Sequence, residues 1–308
     1  MNKKGELTSQ QLVIIIVLIV SFAVILGFFY LLNLKSEITN EGCRNSVVLK
    51  GTTFGANVQL QCKTQNTCVS SGGECNVPNE DKISVKSEEE LYGELSDLMY
   101  SCWWQMGEGK IDYAGSSALS SNYCVICNRI YFDSATQEKF KQVPMENLYK
   151  YMQRNKVPKG DVSYLTYLYG VSDVDALRST LMANGGPDIY SSNIDLSSKE
   201  GFALVTSEVK QGYINPVSIT ATLLSVGAGV LLTPKAGWAV ATGFEKAVKG
   251  INYIKGVLSY GVAGAAAQKV YGFFVGDSSG NLYQPPVIYP YNEESIKGLN
   301  CKAFSSLS

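Results

Sequence analysis

Cys124-Val-Ile-Cys127 is the segment of this chain whose residue types and spacing come nearest to a known chemistry, that of a redox-active dithiol. Such pairs normally open a helix, whose N-terminus lowers the thiolate pKa. Here the neighbours are Val, Ile, Ile130, Tyr131 and Phe132 between the polar residues 120–122 and Asp133-Ser134, a strand composition. Adjacent strand positions alternate between faces, so Cys124 and Cys127 point to opposite sides and each needs a partner elsewhere, Cys102 being one candidate. Structural disulfides are the expected role, with an extracytoplasmic thiol–disulfide oxidoreductase as an alternative.

The run Cys102-Trp-Trp-Gln-Met-Gly-Glu-Gly-Lys110 gathers aromatics, glycines and an acid–base pair. It reads either as a binding loop with Glu108 and Lys110 as polar contacts, or as a glycine C-cap above buried tryptophans. Gly107-Glu-Gly-Lys110 lacks the longer glycine spacing and the Ser/Thr of a phosphate loop and follows a helix, so nucleotide binding is not expected. The chain has no His, which removes a Ser-His-Asp set and the commonest metal ligand. A net charge of −1 offers no basic face for nucleic acid. No catalytic, cofactor-binding or metal-binding residue is assigned, and no enzyme is expected. Tyrosines grouped at Tyr164, Tyr167 and Tyr169, and at Tyr283, Tyr289 and Tyr291, suit either a contact surface or half-buried packing.

What must hold these residues is indicated by the cysteines and the N-terminus. No charge occurs from Leu7 to Leu34, and 12–32 as a helix would reach roughly 30 Å, enough to span a bilayer. The Phe28-Phe29-Tyr30 end offers no small-residue cleavage site, so the segment reads as a retained anchor. Lys3 and Lys4 precede it, whereas Lys35 is offset by Glu37 and Glu41, which places the N-terminus in the cytoplasm and 35–308 outside. All eight cysteines follow the anchor: Cys43, Cys62, Cys68, Cys75, Cys102, Cys124, Cys127 and Cys301. An even set on the exported side is a disulfide framework, and the first four are expected to pair among themselves, although eight cysteines allow 105 connectivities.

Along the exported part, 46–49 and 58–60 read as short strands. Ser87 followed by Glu88, Glu89 and Glu90 opens a helix with apolar positions from Leu91 to Met106, stopped by Gly107. Helices are expected at 144–155, 161–169 and 173–183, and a strand at 201–210. Residues 211–234 carry no charge, and 251–275 are interrupted only by Lys255, Gln268 and Lys269. Small residues at intervals of four, Ala221, Ser225 and Gly229, then Gly261 and Ala265, suggest a close-packed helical hairpin, in lipid or buried in protein.

The N-terminal Lys3-Lys4-Gly5-Glu6, Thr8 and Gln10 before the apolar run resembles the class III signal of archaeal pilins and archaellins. That resemblance implies cleavage after Gly5 and an apolar helix that packs into a filament core. Those proteins carry an acidic residue at the fifth mature position, where this chain has Gln10. The remainder resembles membrane-anchored archaeal surface proteins, which implies surface exposure and no particular chemistry.

The expected fold class is α+β. It divides into a tip and transmembrane helix at 1–34, a disulfide-stapled extracytoplasmic domain at 35–210, a Gly/Ala-rich hydrophobic helical hairpin at 211–276, and a C-terminal return at 277–308. The expected function is a single-pass cell-surface structural or interaction protein, with a filament subunit as its sharpest form. Its partners would be the lipid bilayer and either further copies or another surface protein. The first alternative is a membrane-active protein that uses the 217–275 hairpin.

Overall fold

The computed structural model describes residues 9–31, 35–52, 58–78, 80–115, 122–183, 188, 190–210, 220–224, 254–261, 269–276, 281–299, 301 and 303–305. Helices α1 (Ser9–Leu31) and α2 (Lys35–Lys50) lead into strands β1 (Gln65–Ser70) and β2 (Glu80–Ser84), helix α3 (Glu88–Gln105) and strand β3 (Asn122–Phe132). Next come α4 (Ser134–Phe140), β4 (Gln142–Pro144), α5 (Met145–Arg154), α6 (Tyr164–Tyr169), α7 (Val174–Ala183) and β5 (Asn193–Asp195). The chain continues through β6 (Phe202–Val209), β7 (Thr220–Leu224), β8 (Ile254–Gly261), β9 (Lys269–Gly276) and β10 (Leu282–Pro290), and ends with α8 (Glu293–Gly298) and β11 (Ala303–Ser305). The fold is mixed α+β with four disulfides.

One nine-stranded sheet runs β2-β1-β3-β6-β10-β9-β8-β7, with β11 also pairing β3. The β2-β1-β3 end is parallel and the rest of the path from β3 is antiparallel. Strand β3 is central and bulged. Val125 and Cys127 face the main core, whereas Cys124 and Ile126 face a second core on the reverse side. A register shift between Ile126 and Asn128 then puts Ile130 and Phe132 back on the main face, because one extra residue inverts the alternation. Pro285-Pro286 sit at the corresponding shift in β10, where residues that donate no hydrogen bond are tolerated.

The main face is covered by α3, α5 and α6. Ser87 caps α3 by accepting from the Glu90 N–H, and Leu91, Leu95, Met99, Cys102 and Trp103 are buried against the sheet. Helices α5, α6 and α7 fall within the expected spans, although α6 begins only at Tyr164 because Ser163 is its N-cap. The reverse face carries a smaller cluster of Cys124, Ile126, Ala203, Val205 and Leu299, closed by α8 and Cys301.

The cysteines pair as Cys43–Cys62, Cys68–Cys75, Cys102–Cys127 and Cys124–Cys301. The first four pair among themselves, and the two cysteines of the CxxC segment take separate partners on opposite sheet faces, as expected. Cys68–Cys75 has a further use, since β1 and β2 are parallel but joined only by residues 71–79. A parallel connection usually takes a dozen residues or more, and this bond pins the extended return against β1.

Several expectations are corrected. Residues 43–49 belong to helix α2, not a strand, and 58–60 have no regular structure. Val47 and Val48 favour a strand locally, but burial of Cys43 and Val47, four apart on one helical face, outweighs that preference. The helical hairpin at 211–276 is corrected as well, because its described residues form the antiparallel strands β7, β8 and β9. Intervals of four among small residues misled the reading, whereas Val257, Tyr260, Val270, Tyr271, Phe273 and Phe274 are β-branched or aromatic. Ala221 lies in β7 and Gly261 in β8, while Ser225, Gly229 and Ala265 lie outside the described residues, as do Lys3, Lys4, Gly5 and Glu6. Helix α1 has 23 residues and no charge, and its described side chains cover 13–25. Among the described residues no helix is long and apolar enough to cross a membrane.

An ionic cluster ties the 112–115 segment to the sheet. Glu208 of β6, fully buried, accepts from the backbone N–H groups of Tyr113 and Ala114 at 3.0 Å each and pairs with Lys210 at 2.7 Å. Lys210 also pairs with Asp112. Burial pushes the Glu208 carboxyl up from 4.5 to about 8, outweighing the pull of Lys210.

Glu208 therefore binds more protons folded than unfolded between pH 4.5 and about 8, so stability falls as pH rises through that window. Asp112, held below its ordinary 3.8, and Lys210, held above its ordinary 10.5, act outside the window. In urea unfolding of the full chain, stability should fall by a few kcal/mol across the window, and Glu208→Gln should flatten the profile. Among the disulfides, the Cys124→Ser/Cys301→Ser pair removes a cross-link of sequence separation 177, against 7 for Cys68→Ser/Cys75→Ser. In the chain-entropy limit the first should cost about 2–3 kcal/mol more than the second by denaturant titration.

Candidate functional site

The strongest candidate site lies between α2 and α3, at the loop singled out by its tryptophans and glycines. It is a cavity of about 220 Å³. Asn40 and Glu41 line it from α2, Asp97, Tyr100, Ser101 and Trp104 from α3, and Pro158 and Lys159 from the loop after α5. The four α3 residues are spaced i, i+3, i+4, i+7 and so form one helical stripe, distinct from the stripe buried on the sheet.

The floor is held by hydrogen bonds. Gln65 donates to Asn40 Oδ1 at 2.8 Å, and Asn40 in turn donates to Ser101 Oγ at 3.3 Å. Gln105 also donates to Ser101 Oγ, at 3.1 Å. Arg44 lies over the Trp104 ring at 4.5 Å and donates to the Trp104 carbonyl, fixing that side chain at the cavity wall. Lys159 stands 5.9 Å from the same ring. Asp97 accepts from the Tyr164 hydroxyl, and no ion pair reaches it among the described residues. Burial raises its carboxyl above the ordinary value, more than the Tyr164 bond lowers it.

Helix α3 ends in backbone that only a firm framework sustains. Gly107, Glu108 and Gly109 follow one another at φ +79°, +59° and +69°, all left-handed. A non-glycine residue there is strained, and Glu108 stays because its side chain is tied three ways. Glu108 pairs with Lys110 at 2.7 Å and with Arg44 at 3.7 Å, and accepts from the Tyr167 hydroxyl at 2.8 Å. Burial works to raise its carboxyl, but Lys110, Tyr167 and Arg44 outweigh burial and hold it below the ordinary value. Glu108 and Lys110 are thus engaged within the protein and shape the cavity through Arg44, while Trp104 lines it.

Sequence reasoning named Trp104, Glu108 and Lys110 but missed Asn40, Arg44, Asp97, Tyr100, Ser101 and Lys159. The polar-aromatic stripe on α3 was the available signal, and it was passed over because the apolar positions alone defined the helix. The tyrosine groups divide evenly: Tyr164, Tyr169 and Tyr283 are buried, with Tyr149 against Tyr169 and Tyr113 against Tyr283, while Tyr167, Tyr289 and Tyr291 are half-buried. Cys68, Cys75 and Glu80 place potential ligand atoms within 4.8 Å of one another, but both sulfurs are consumed in a disulfide. No protein-family model matches the chain, and neither a curated protein nor a solved structure is significantly similar to it.

A Cβ at Gly107 would lie 2.8 Å from Ile111 as well as meeting the left-handed φ. Gly107→Ala should therefore destabilise by about 1–3 kcal/mol in chemical denaturation. Gly42 of α2 is the matched control, since a Cβ there meets nothing within 4 Å, and Gly42→Ala should stabilise the protein or leave it unchanged.

Proposed function

We propose that this chain is a membrane-anchored cell-surface structural or interaction protein, with α1 as its anchor, its N-terminus in the cytoplasm and residues 35–308 outside. The observation that carries the reading is the pairing of all eight cysteines, with no free thiol left. Such frameworks form and persist in oxidising compartments. All four bonds lie after the apolar helix, on the side that the Lys3-Lys4 bias assigns to the exterior.

The character of α1 supports the same reading. Its side chains from Val13 to Ile25 are exposed around the whole helix, Leu18 at 63% and Ile19 at 62%, as lipid-facing surface would be. Ser21, the one polar residue between Val13 and Ile25, donates its hydroxyl back to the Val17 carbonyl at 2.9 Å and so is satisfied within the helix. At about 1.5 Å per residue the 23 residues of α1 reach roughly 34 Å. Self-association through the disulfide-stapled domain, in the sharpest form a filament, is the mode of assembly we favour. The oxidoreductase reading loses its dithiol, because Cys124 and Cys127 bond to Cys301 and Cys102.

Intact cells treated with an impermeant amine reagent should carry label on lysines after residue 35 and none on Lys3 or Lys4. Protection of every lysine, or free thiols in protein unfolded without reductant, would overturn the topology. Negative-stain images of detergent-extracted protein should show filaments or regular oligomers; uniform monomers would remove the assembly claim while leaving the anchor.

A further inference from the structure

The cavity between α2 and α3 is built like a site for a small hydroxylated ring. We infer that it binds one neutral pyranose unit of a saccharide. The inference extends the surface-interaction reading by naming what the surface takes, and it stands on the cavity rather than on the anchor.

Three observations lead there. First, the wall offers ring surface. Tyr100 and Trp104 are both half-buried and line the cavity, and Trp104 is fixed by Arg44. Tyr100 is fixed likewise, edge-on to Tyr164 at 6.4 Å and tilted against Tyr167 at 5.0 Å between centroids. Rigid aromatic surface supplies contact area for the C–H face of a sugar ring at little entropic cost.

Second, the polar groups are mixed in role. Asp97 is a half-buried carboxylate whose one hydrogen-bond partner among the described residues is the Tyr164 hydroxyl, which leaves it acceptor capacity. Ser101 Oγ accepts from both Asn40 and Gln105, so its proton remains to be donated. Lys159 adds a further donor at the mouth. A hydroxyl group both donates and accepts, and neighbouring hydroxyls on a ring match an acceptor and a donor placed side by side.

Third, the lining carries both signs. Glu41 and Asp97 stand against Lys159, while Arg44, already paired with Glu108, lies over Trp104. An ammonium ligand would meet Lys159. A carboxylate or phosphate would meet Asp97 and Glu41. A neutral polyol meets neither objection, and about 220 Å³ suits one ring rather than a larger ligand.

The test uses the full chain in a detergent without a sugar headgroup, since an alkyl glycoside would compete. Methyl glycosides of glucose, galactose, mannose and N-acetylglucosamine are titrated by tryptophan fluorescence and by saturation-transfer NMR, with lysine, choline and acetate alongside. At least one glycoside should saturate at one site per chain. Asp97→Asn, which keeps an acceptor for Tyr164, should weaken it about tenfold or more without moving the thermal midpoint. Trp104→Ala should do the same, and if that variant fails to fold, Asp97→Asn decides alone. Saturation by no glycoside, preference for lysine, choline or acetate, or glycoside affinity unchanged in Asp97→Asn would each overturn the inference. None of these results bears on the anchor, which is read by labelling of cells.

Discussion

The covalent exit of strand β3 on both faces of the sheet is the constraint on which the rest depends. Cys127 ties its main face to α3 and Cys124 ties its reverse face to Cys301 near the C-terminus. A sheet with layers on both sides must place an apolar set on each face of its central strand, and β3 does so with Val125 and Cys127 against Cys124 and Ile126. The bulge at Cys127 lets the same strand keep Ile130 and Phe132 in the main core beyond the point where β1 replaces β11 as its neighbour. Without that extra residue, Arg129 and Tyr131 would occupy the main face instead.

From β3 the consequences spread through α3, which presents two stripes. Its apolar stripe is fixed to the sheet by packing and by the Cys102 bond, and this sets the angle at which the stripe of Asp97, Tyr100, Ser101 and Trp104 meets α2. The left-handed run at 107–109 then turns the chain sharply enough for Glu108 to reach Arg44 and Tyr167. A strained residue kept in place by three polar ties is a positioning device. Here it orients Arg44, and Arg44 orients Trp104.

Most of this frame was legible in the sequence. Ser87 with three following glutamates marks the start of α3 because the cap and the dipole act locally, and the β-branched and aromatic flanks of Cys124 mark β3 for the same reason. The separate partners of Cys124 and Cys127 followed from alternation alone. What was not legible depends on residues distant in sequence. Val47 and Val48 read as a strand until the packing of α2 against α3 is known, and the burial of Glu208 was invisible because the backbone N–H groups that hold it lie 95 and 94 positions away. Residues 211–276 misled for a different reason. Glycine and alanine at intervals of four satisfy a helix-packing pattern without specifying helix, and the aromatic and β-branched residues among them carried the stronger information.

The disulfides also bear on the cavity. Its α2 wall is held by Cys43–Cys62 and its α3 wall by Cys102–Cys127, so both walls are cross-linked to the body of the domain on segments that flank the lining residues. Helices α2 and α3 also meet directly beside the cavity, through the Asn40–Ser101 hydrogen bond and through Arg44 over Trp104. Walls fixed to the body of the domain in this way are preformed, so that less ordering is required when something binds. Disulfides of this kind persist in oxidising compartments, so the framework that fixes both walls is chemically consistent with the surface contact proposed above.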